Sequence, residues 1–230
     1  MDGLRAVAID GPAGAGKSTV ARGVASRLGF LYLDTGAMYR AVAWKASVLG
    51  VDLLDAEAMA GVARGLDLAF DPTGRRLTAD GADVTRAIRS PELTAITRYA
   101  ARSPGVREEM VRRQRSMAHR APVVMEGRDI GLVVLPGARW KYFLTASPEA
   151  RARRRWEEDQ RSGRGGDLET VLARQAERDA ADDQVGPLRT LREMALAGEG
   201  VAYIDTTHIE PEEVIGLIAG QVEGDDSPAR

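Results

Sequence analysis

The chain has 230 residues, of which 44% are hydrophobic, with a formal net charge of −2 and a pI near 5.8. This length suffices for one domain with a full core, and the balanced charge argues against a protein that coats nucleic acid, since such proteins carry a large basic excess. The lack of cysteine excludes disulfides, thiolate catalysis and cysteine-bound zinc, and no apolar run approaches the roughly 20 residues of a membrane helix. With no leading basic-then-apolar segment, we expect a cytoplasmic monomer that binds neither nucleic acid nor membrane.

The first predicted unit along the chain is a strand, a glycine-rich loop and a helix. Val7 to Ile9 is apolar throughout, as in a central parallel strand, and apolar residues recur at four-residue spacing from Val20 until Gly29. The loop between them fits the phosphate-binding pattern of Gly, four residues, Gly, Lys and Ser. Its residues are Gly11, Pro12, Ala13, Gly14, Ala15, Gly16, Lys17 and Ser18, followed by Thr19.

This loop predicts a nucleoside triphosphate as ligand. The glycines turn backbone N–H groups toward a phosphate, the next helix adds its positive N-terminus, Lys17 reaches the terminal phosphates and Ser18 ligates Mg²⁺. Lys17 is one of only three lysines against 29 arginines, and a compact ammonium fits among phosphate oxygens where a planar guanidinium does not. The alternative is a glycine-rich turn without a ligand.

Four further apolar runs predict strands, at Phe30 to Leu33, Val123 to Met125, Tyr142 to Leu144 and Val201 to Ile204. Helical stretches separate most of them, so we predict an α/β fold with a doubly wound, five-stranded parallel sheet. The last helix is predicted around Glu212 to Ile218, with a frayed polar tail over 223–230.

Two segments interrupt this alternation. Residues 63–92 contain short apolar runs separated by turn sequences such as Asp71-Pro72-Thr73-Gly74, which predict hairpins and a small β insertion. Residues 151–182 are helical and rich in arginine, with a flexible tip between Arg161 and Asp167. The core is then expected to comprise residues 1–62, 93–150 and 183–222.

Arginines at separate places along the chain indicate a site that surrounds phosphate groups. They are Arg40, Arg107, Arg128, the cluster Arg151, Arg153, Arg154 and Arg155, and Arg178. Phosphoryl transfer between two nucleotides needs such a surround, because charge spreads over many oxygens in the transition state. Helical spacing places residues 151, 154 and 155 on one face, so we expect them to project jointly toward one ligand; the alternative is a solvated face paired with the acidic residues 157–159.

Glu126 ends an apolar run, where a carboxylate can hold a Mg²⁺-bound water beside the phosphate loop; the alternative is a capped strand end. No residue stands out as a general base, and His119 and His208 are expected at the surface. A phosphate monoester is already largely dianionic at neutral pH and needs no base. The sequence therefore favours a nucleoside monophosphate over an alcohol as the acceptor.

Four motifs resemble the bacterial cytidylate (CMP) kinase family, and the likeness covers nearly the whole chain. They are Ile9 to Thr19, Leu33 to Arg40, Glu126 to Gly131 and Ile204 to Thr207. The resemblance implies a P-loop nucleoside monophosphate kinase fold with a core, a monophosphate-binding insertion at 63–92 and a mobile helical lid at 151–182. It also implies transfer of the γ-phosphoryl of MgATP to CMP or dCMP, which gives CDP or dCDP plus ADP.

The same resemblance implies roles for individual residues. The acceptor nucleotide would be surrounded by Thr35, Tyr39, Arg40, Arg107, Arg128, Asp129, Arg178 and Asp182. Of these, Arg107 and Asp129 would read cytosine, Arg128 and Arg178 would bind the acceptor phosphate, and Asp182 would hold the ribose. The transferring group would be embraced by Lys17, Arg128, Arg154, Arg155 and Arg178, with residues 162–166 as the tip of the lid.

One arginine that the family carries shortly after the ribose aspartate has no match near Val185, where Arg189 or Arg192 would substitute. Two other functions stay open at this point. The first is a P-loop kinase with another acceptor, such as UMP, AMP or a small alcohol like shikimate. The second is a nucleotide-gated regulatory module.

Overall fold

The computed structural model describes residues 4–161, 163, 165–184 and 186–226, and for 181–184 and 226 it describes the backbone alone. Its strands are β1 (Ala6–Asp10), β2 (Leu31–Asp34), β3 (Leu68–Phe70), β4 (Leu77–Ala79), β5 (Ala82–Asp83), β6 (Val123–Gly127), β7 (Trp140–Thr145) and β8 (Ala202–Asp205). Five of them form a parallel sheet in the order β2-β6-β1-β7-β8, and the other three form a small antiparallel sheet in the order β3-β4-β5.

The α-helices are α1 (Lys17–Leu28), α2 (Thr35–Leu49), α3 (Ala56–Gly65), α4 (Pro91–Arg102), α5 (Pro104–Arg120), α6 (Pro148–Arg161), α7 (Leu168–Gln184), α8 (Pro187–Ala197) and α9 (Pro211–Asp226). A 3₁₀ helix covers Ala87–Arg89 and a π-helix covers Ile130–Val134. None of the helices in the described part combines the length and the apolar character that a membrane span requires.

The predicted five-stranded parallel sheet is confirmed. β1 is buried along its whole length and pairs with β6 on one side and β7 on the other. The strands continue beyond the predicted apolar runs into Asp10, Asp34 and Glu126, because the backbone ladder extends to the polar carboxyl ends. In such sheets ligands bind at this carboxyl edge, so these carboxylates mark the functional end of the molecule.

Alternation along the strands divides the core between the two faces of the sheet. On one face, Val7 and Ile9 pack with apolar residues of α1 and α9. On the other face, Ala6 and Ala8 pack with residues of α5 and the π-helix. Helix α1 ends as predicted at Gly29, which adopts φ 67°. The phosphate loop is thereby fixed between the central strand and a helix whose apolar face is buried on the sheet.

Helix α9 corrects one prediction. It was expected to end near Ile218 and to be followed by a polar tail from residue 223, but it runs to Asp226. Val222 is fully buried with Ile218 and Val214 on the face that packs against α1. The four-residue apolar spacing therefore extends the helix through residues that are polar on their other face; the expected tail at 227–230 lies outside the described residues.

The predicted hairpins are confirmed as the antiparallel sheet β3-β4-β5. The turn after β3 is closed by Asp71, whose Oδ1 accepts the backbone N–H groups of Arg75 and Arg76 at 2.8 and 3.1 Å. Gly74 lies in this turn at φ +68°, and a Cβ on it would lie 1.8 Å from the carbonyl oxygen of Tyr32. Only glycine therefore lets the tip of the hairpin rest directly on β2.

Candidate active site

The phosphate loop connects β1 to the N-terminus of α1. Lys17 is partly buried and donates from Nζ to the carbonyl oxygen of Pro12 at 2.7 Å, so its ammonium lies over the loop itself. Desolvation, together with the nearby charges of Arg128 and Arg178, lowers the pKa of Lys17 to about 8. Three cationic groups from different elements thus act on one another at the loop, which is the arrangement an anionic ligand neutralises.

Glu126 lies beside the loop at the end of β6. Its Oε2 accepts a hydrogen bond from Ser18 Oγ at 2.9 Å, its Oε1 accepts one from the Tyr32 hydroxyl, and its backbone oxygen accepts one from Thr35 Oγ1 at 2.7 Å. Burial, followed by the nearby Asp34 carboxylate, raises the pKa of Glu126. The side chain is 5% exposed and directed at the serine of the loop.

This pair fits a magnesium ion. Hydroxyl and carboxylate oxygens are the ligands that Mg²⁺ prefers, and the ion commonly takes one or two protein groups plus waters and substrate phosphates. Among the described residues no group of three or more histidines, cysteines or carboxylates forms a self-sufficient metal cage. Ser18 and Glu126 would therefore hold a metal that arrives with a nucleotide.

Arg40 and Asp34 form the next part of the edge. Asp34 accepts from Arg40 Nη2 at 2.9 and 3.2 Å, from Arg89 Nη2 at 2.9 Å, and from the backbone N–H of Ala37 at 2.8 Å. Burial alone would raise the pKa of Asp34, but the two guanidinium groups and the backbone donor hold it below its usual range. Arg40 Nε is buried with no hydrogen-bond partner in the described part of the chain, which leaves a donor for a ligand.

Arg107 of α5 and Asp129, which follows β6, form an ion pair next to Tyr39. Burial and the Asp129 carboxylate raise the pKa of Tyr39 to about 12, so the phenol stays protonated. The structure thus brings together the two residues expected to read a base, with a buried aromatic ring beside them. One presents donors and the other acceptors.

Asp10 was missed by the sequence analysis. It is 1% exposed, and its two carboxylate oxygens accept the backbone N–H groups of Ile130 and Gly131, each at 2.8 Å. Burial raises its pKa to about 7 despite these hydrogen bonds. The end of β1 is thereby joined to the segment that carries Arg128 and Asp129.

Of the three α6 arginines expected to project toward one ligand, Arg151 and Arg154 lie at the phosphate loop and Arg155 does not. Arg151 is buried against the phosphate loop, whereas Arg154 donates to Oγ1 and the backbone oxygen of Thr206 at 2.9 and 2.5 Å. Arg155 turns back to Glu158 and Asp159 of its own helix. Arg154 lies on the same side of α6 as Arg151, since a Cβ on Gly16 of the phosphate loop would lie 3.8 Å from Arg154 Nη1.

The remaining predicted residues fall into three groups. Arg128 and Arg178 both lie close enough to Lys17 to affect its pKa. The side chain of Asp182 and the backbone of Val185 lie outside the described residues. Arg189 forms an exposed pair with Glu193 on α8, and the tip residues Ser162 and Arg164 also lie outside the described residues.

Comparison with known proteins identifies the family. A family model described as cytidylate kinase matches residues 7–224. The chain is 47% identical to a cytidylate kinase of Desulfitobacterium hafniense, over 92% of this chain and 90% of the relative, and 43% identical to that of Bacillus subtilis, over 97% and 98%. A crystal structure of TT1252 from Thermus thermophilus, 21% identical, shares the fold with a TM-score of 0.50 over 97% of this chain and 98% of that one.

The family model covers almost the entire chain, and the match includes the phosphate loop, the Asp34 to Arg40 segment and the segment after β6. The two bacterial relatives are matched over nine-tenths or more of their own length. The chain therefore belongs to the cytidylate kinase family.

Proposed function

We propose that this chain transfers the γ-phosphoryl group of MgATP directly to the phosphate of CMP or dCMP. The observation that carries this proposal is the convergence of Lys17, Arg128 and Arg178 at the phosphate loop. A further donor is Arg40 Nε, which is buried and has no hydrogen-bond partner among the described residues. Two polyanions can meet only where several fixed cations offset their repulsion. Catalysis of phosphoryl transfer consists mainly of this positioning and charge stabilisation.

On the donor side, ATP is held by residues 11–19. The backbone N–H groups and the N-terminus of α1 bind its phosphates, and Lys17 exchanges its hydrogen bond with Pro12 for a terminal phosphate oxygen. Ser18 and Glu126 would hold the magnesium ion, Glu126 through water, and the ion would supply positive charge beside the transferred phosphate. The hydrogen bond of 2.9 Å from Ser18 Oγ to Glu126 Oε2 keeps both groups on the same side of the loop.

On the acceptor side, Arg107 and Asp129 read the base. Cytosine carries an amino group that Asp129 accepts from, next to a ring nitrogen and a carbonyl that Arg107 donates to. Uracil presents a carbonyl in place of the amino group, and that oxygen faces the carboxylate without a proton between them. The pair therefore favours cytosine over uracil.

The acceptor phosphate is held by Arg128 and Arg178, with Arg40, Thr35 and Tyr39 around the nucleotide and Asp182 at the ribose. In this position the phosphate faces the terminal phosphate of ATP in line. It is largely dianionic at neutral pH and attacks without a general base. Residues 63–92 serve as the monophosphate-binding insertion, and residues 151–182 serve as the lid that excludes water, with Arg154 and Arg155 moving onto the transferring group.

The test is a coupled assay of ADP release with MgATP and a panel of acceptors: CMP, dCMP, UMP, AMP and shikimate. CMP and dCMP should stimulate ADP release far above the others. Failure of both to stimulate it would reject the proposal, and stimulation by another acceptor would replace it. A protein that releases no ADP with any acceptor, but binds a nucleotide, would support the regulatory alternative.

A further inference from the structure

An ion pair between Arg151 and Asp179 joins helix α6 to helix α7, with 2.7 Å between Arg151 Nη2 and Asp179 Oδ2. Neither residue has a place in the proposed reaction. Arg151 is nevertheless only 5% exposed, and arginine is seldom buried to this extent unless its donors are paired. Asp179 directly follows Arg178, which does have a proposed role.

The other end of the Arg151 side chain is fixed to the phosphate loop and its surroundings. Nη1 donates to the carbonyl oxygen of Ala13 at 3.2 Å, and Nε donates to that of Ala146 at 3.0 Å. The loop approaches so closely that a Cβ on Gly14 would lie 2.9 Å from the Cβ of Arg151. The guanidinium group of Arg151 therefore contacts both the backbone of the phosphate loop and the Asp179 carboxylate of α7.

Helix α7 packs mainly against α6 and also contacts α8. Among its described side chains Gln175 alone is buried, and it donates from Nε2 to the carbonyl oxygen of Pro148 at 3.3 Å. Gln175 and Asp179 are four residues apart and lie on one face of the helix. The buried face of α7 is thus joined to the start of α6 by two polar contacts, Asp179 with Arg151 and Gln175 with Pro148, and no apolar side chain among its described residues is fully buried.

We propose that Arg151 and Asp179 are positioning residues that set the place of Arg178 relative to the phosphate loop. Arg178 adjoins Asp179 and lies near enough to Lys17 for their charges to interact. A fixed α7 holds this guanidinium where the acceptor phosphate meets the terminal phosphate of ATP. The inference rests on the proposed function, because it concerns the residue that binds the acceptor phosphate there.

The test compares Asp179→Asn, Arg178→Ala and the double variant, with steady-state kinetics for CMP and for MgATP. Asp179→Asn should lower kcat/KM for CMP about 10-fold or more, since small misplacements of a catalytic group are costly. KM for ATP should stay within about 2-fold, because Arg151 keeps its contact with Ala13. In the Arg178→Ala background the same substitution should cost less than about 3-fold, because its effect passes through Arg178.

Asp167→Ala is the control on the same helix. Asp167 caps α7 by accepting the backbone N–H of Thr170 at 2.7 Å, and its loss weakens the helix without releasing Arg151. This variant should change kcat/KM for CMP less than about 3-fold. A loss as large as that of Asp179→Asn at equal thermal stability would overturn the inference, as would an equal cost of Asp179→Asn with and without Arg178.

Asp179→Asn leaves a buried guanidinium without its counter-charge, and this can prevent folding. In that case Gln175→Met takes the place of Asp179→Asn in the double-mutant comparison with Arg178→Ala. This substitution removes the contact between Gln175 and Pro148 without leaving a buried charge unpaired. It should lower kcat/KM for CMP about 3-fold or more with Arg178 present and have no effect without it, and no effect in either background overturns the inference. A wild-type protein inactive with CMP and dCMP would instead reject the proposed function.

Discussion

Ser18 and Glu126 are 108 residues apart in the chain and lie within one hydrogen bond, 2.9 Å, of each other. The serine belongs to the phosphate loop and the glutamate to the end of β6, so the contact depends on the parallel pairing of β1 and β6. Both are oxygen ligands at the place where the metal of MgATP would arrive. Their proximity gives the first prediction.

Replacement of Glu126 by glutamine should lower activity at limiting magnesium about 10- to 100-fold, the usual effect of an outer-shell metal partner. Glutamine keeps an oxygen for Ser18 or Tyr32 but has no charge for the ion and its waters. Initial rates against free Mg²⁺ measure this, with the exposed Glu108→Gln as control. An unchanged magnesium requirement in the Glu126 variant would contradict the assignment.

Replacement of Lys17 by alanine should lower turnover by at least about 10²- to 10³-fold, because the loop loses the charge that binds the transferring phosphate. The fold should remain intact. Since the folded state lowers the pKa of Lys17 to about 8, it disfavours the charged ammonium, and removing that group should not lower the thermal midpoint. Circular dichroism and a thermal scan test stability, and near-normal rates with MgATP and CMP would refute the loop's role.

Replacement of Asp129 by asparagine should change the choice of base. Asparagine still accepts from Arg107, but its amino group donates to the carbonyl of uracil and opposes the amino group of cytosine. We expect kcat/KM for CMP to fall about 10²-fold or more while the UMP to CMP ratio rises at least about 10-fold. An equal fall with both acceptors, measured by ADP release, would show that Asp129 does not face the base.

Replacement of His119 or His208 by alanine should leave the rate within about a few-fold of wild type, far less than the roughly 10²-fold loss expected for a general base. Both histidines are exposed, and a phosphate acceptor brings its own nucleophilic charge. The measurement is kcat with saturating MgATP and CMP. A collapse in either variant would reveal a proton transfer that the mechanism lacks.

Asp10 gives a prediction about pH and stability. Its pKa is about 7 in the folded protein against 3.8 for an ordinary aspartate, so between these values the folded state holds a proton that the unfolded chain has lost. The contribution of Asp10 to stability is therefore complete below about pH 4 and declines as the pH rises to about 7, by roughly 1.4 kcal/mol per unit of pKa difference.

The measurement for Asp10 is urea unfolding of wild type and Asp10→Asn at several pH values, followed by tryptophan fluorescence. Other titrating groups cancel in the difference between the two proteins. The free energy of unfolding of wild type, relative to the variant, should decrease from about pH 4 to about pH 7 and then level off. A difference that stays flat or increases over this range would show that Asp10 is ionised in the folded state.

Local patterns were sufficient to predict the sheet, the phosphate loop and the hairpins. Apolar strand runs, glycine spacing and turn residues each act within a few positions of the chain. Asp10 could also have been predicted, since it ends an apolar strand just as Glu126 does. Helix α9 could have been extended, since Val222 continues the four-residue spacing from Ile218.

Contacts formed by tertiary structure could not be predicted in the same way. Arg89 pairs with Asp34 across 55 residues, and no spacing in the sequence connects the two. Helical periodicity placed Arg151 and Arg154 on one face of α6, and both lie at the phosphate loop. The close approach of Gly14 decides that Arg151 is buried, while Arg155 pairs with Glu158 at the surface. Burial of charged side chains depends on which backbones meet.

The backbone oxygen of Tyr32 lies against Gly74 at the tip of the hairpin, and the hydroxyl of Tyr32 donates a hydrogen bond to Glu126. Because the tip of the hairpin already rests on β2, the small sheet cannot swing outward at that end. Widening of the cleft on this side therefore has to come from the helices around the small sheet. A bulky side chain at position 74 would act as a wedge between hairpin and β2. Such a variant would disturb the magnesium side of the cleft from a position in the turn, through a single tyrosine.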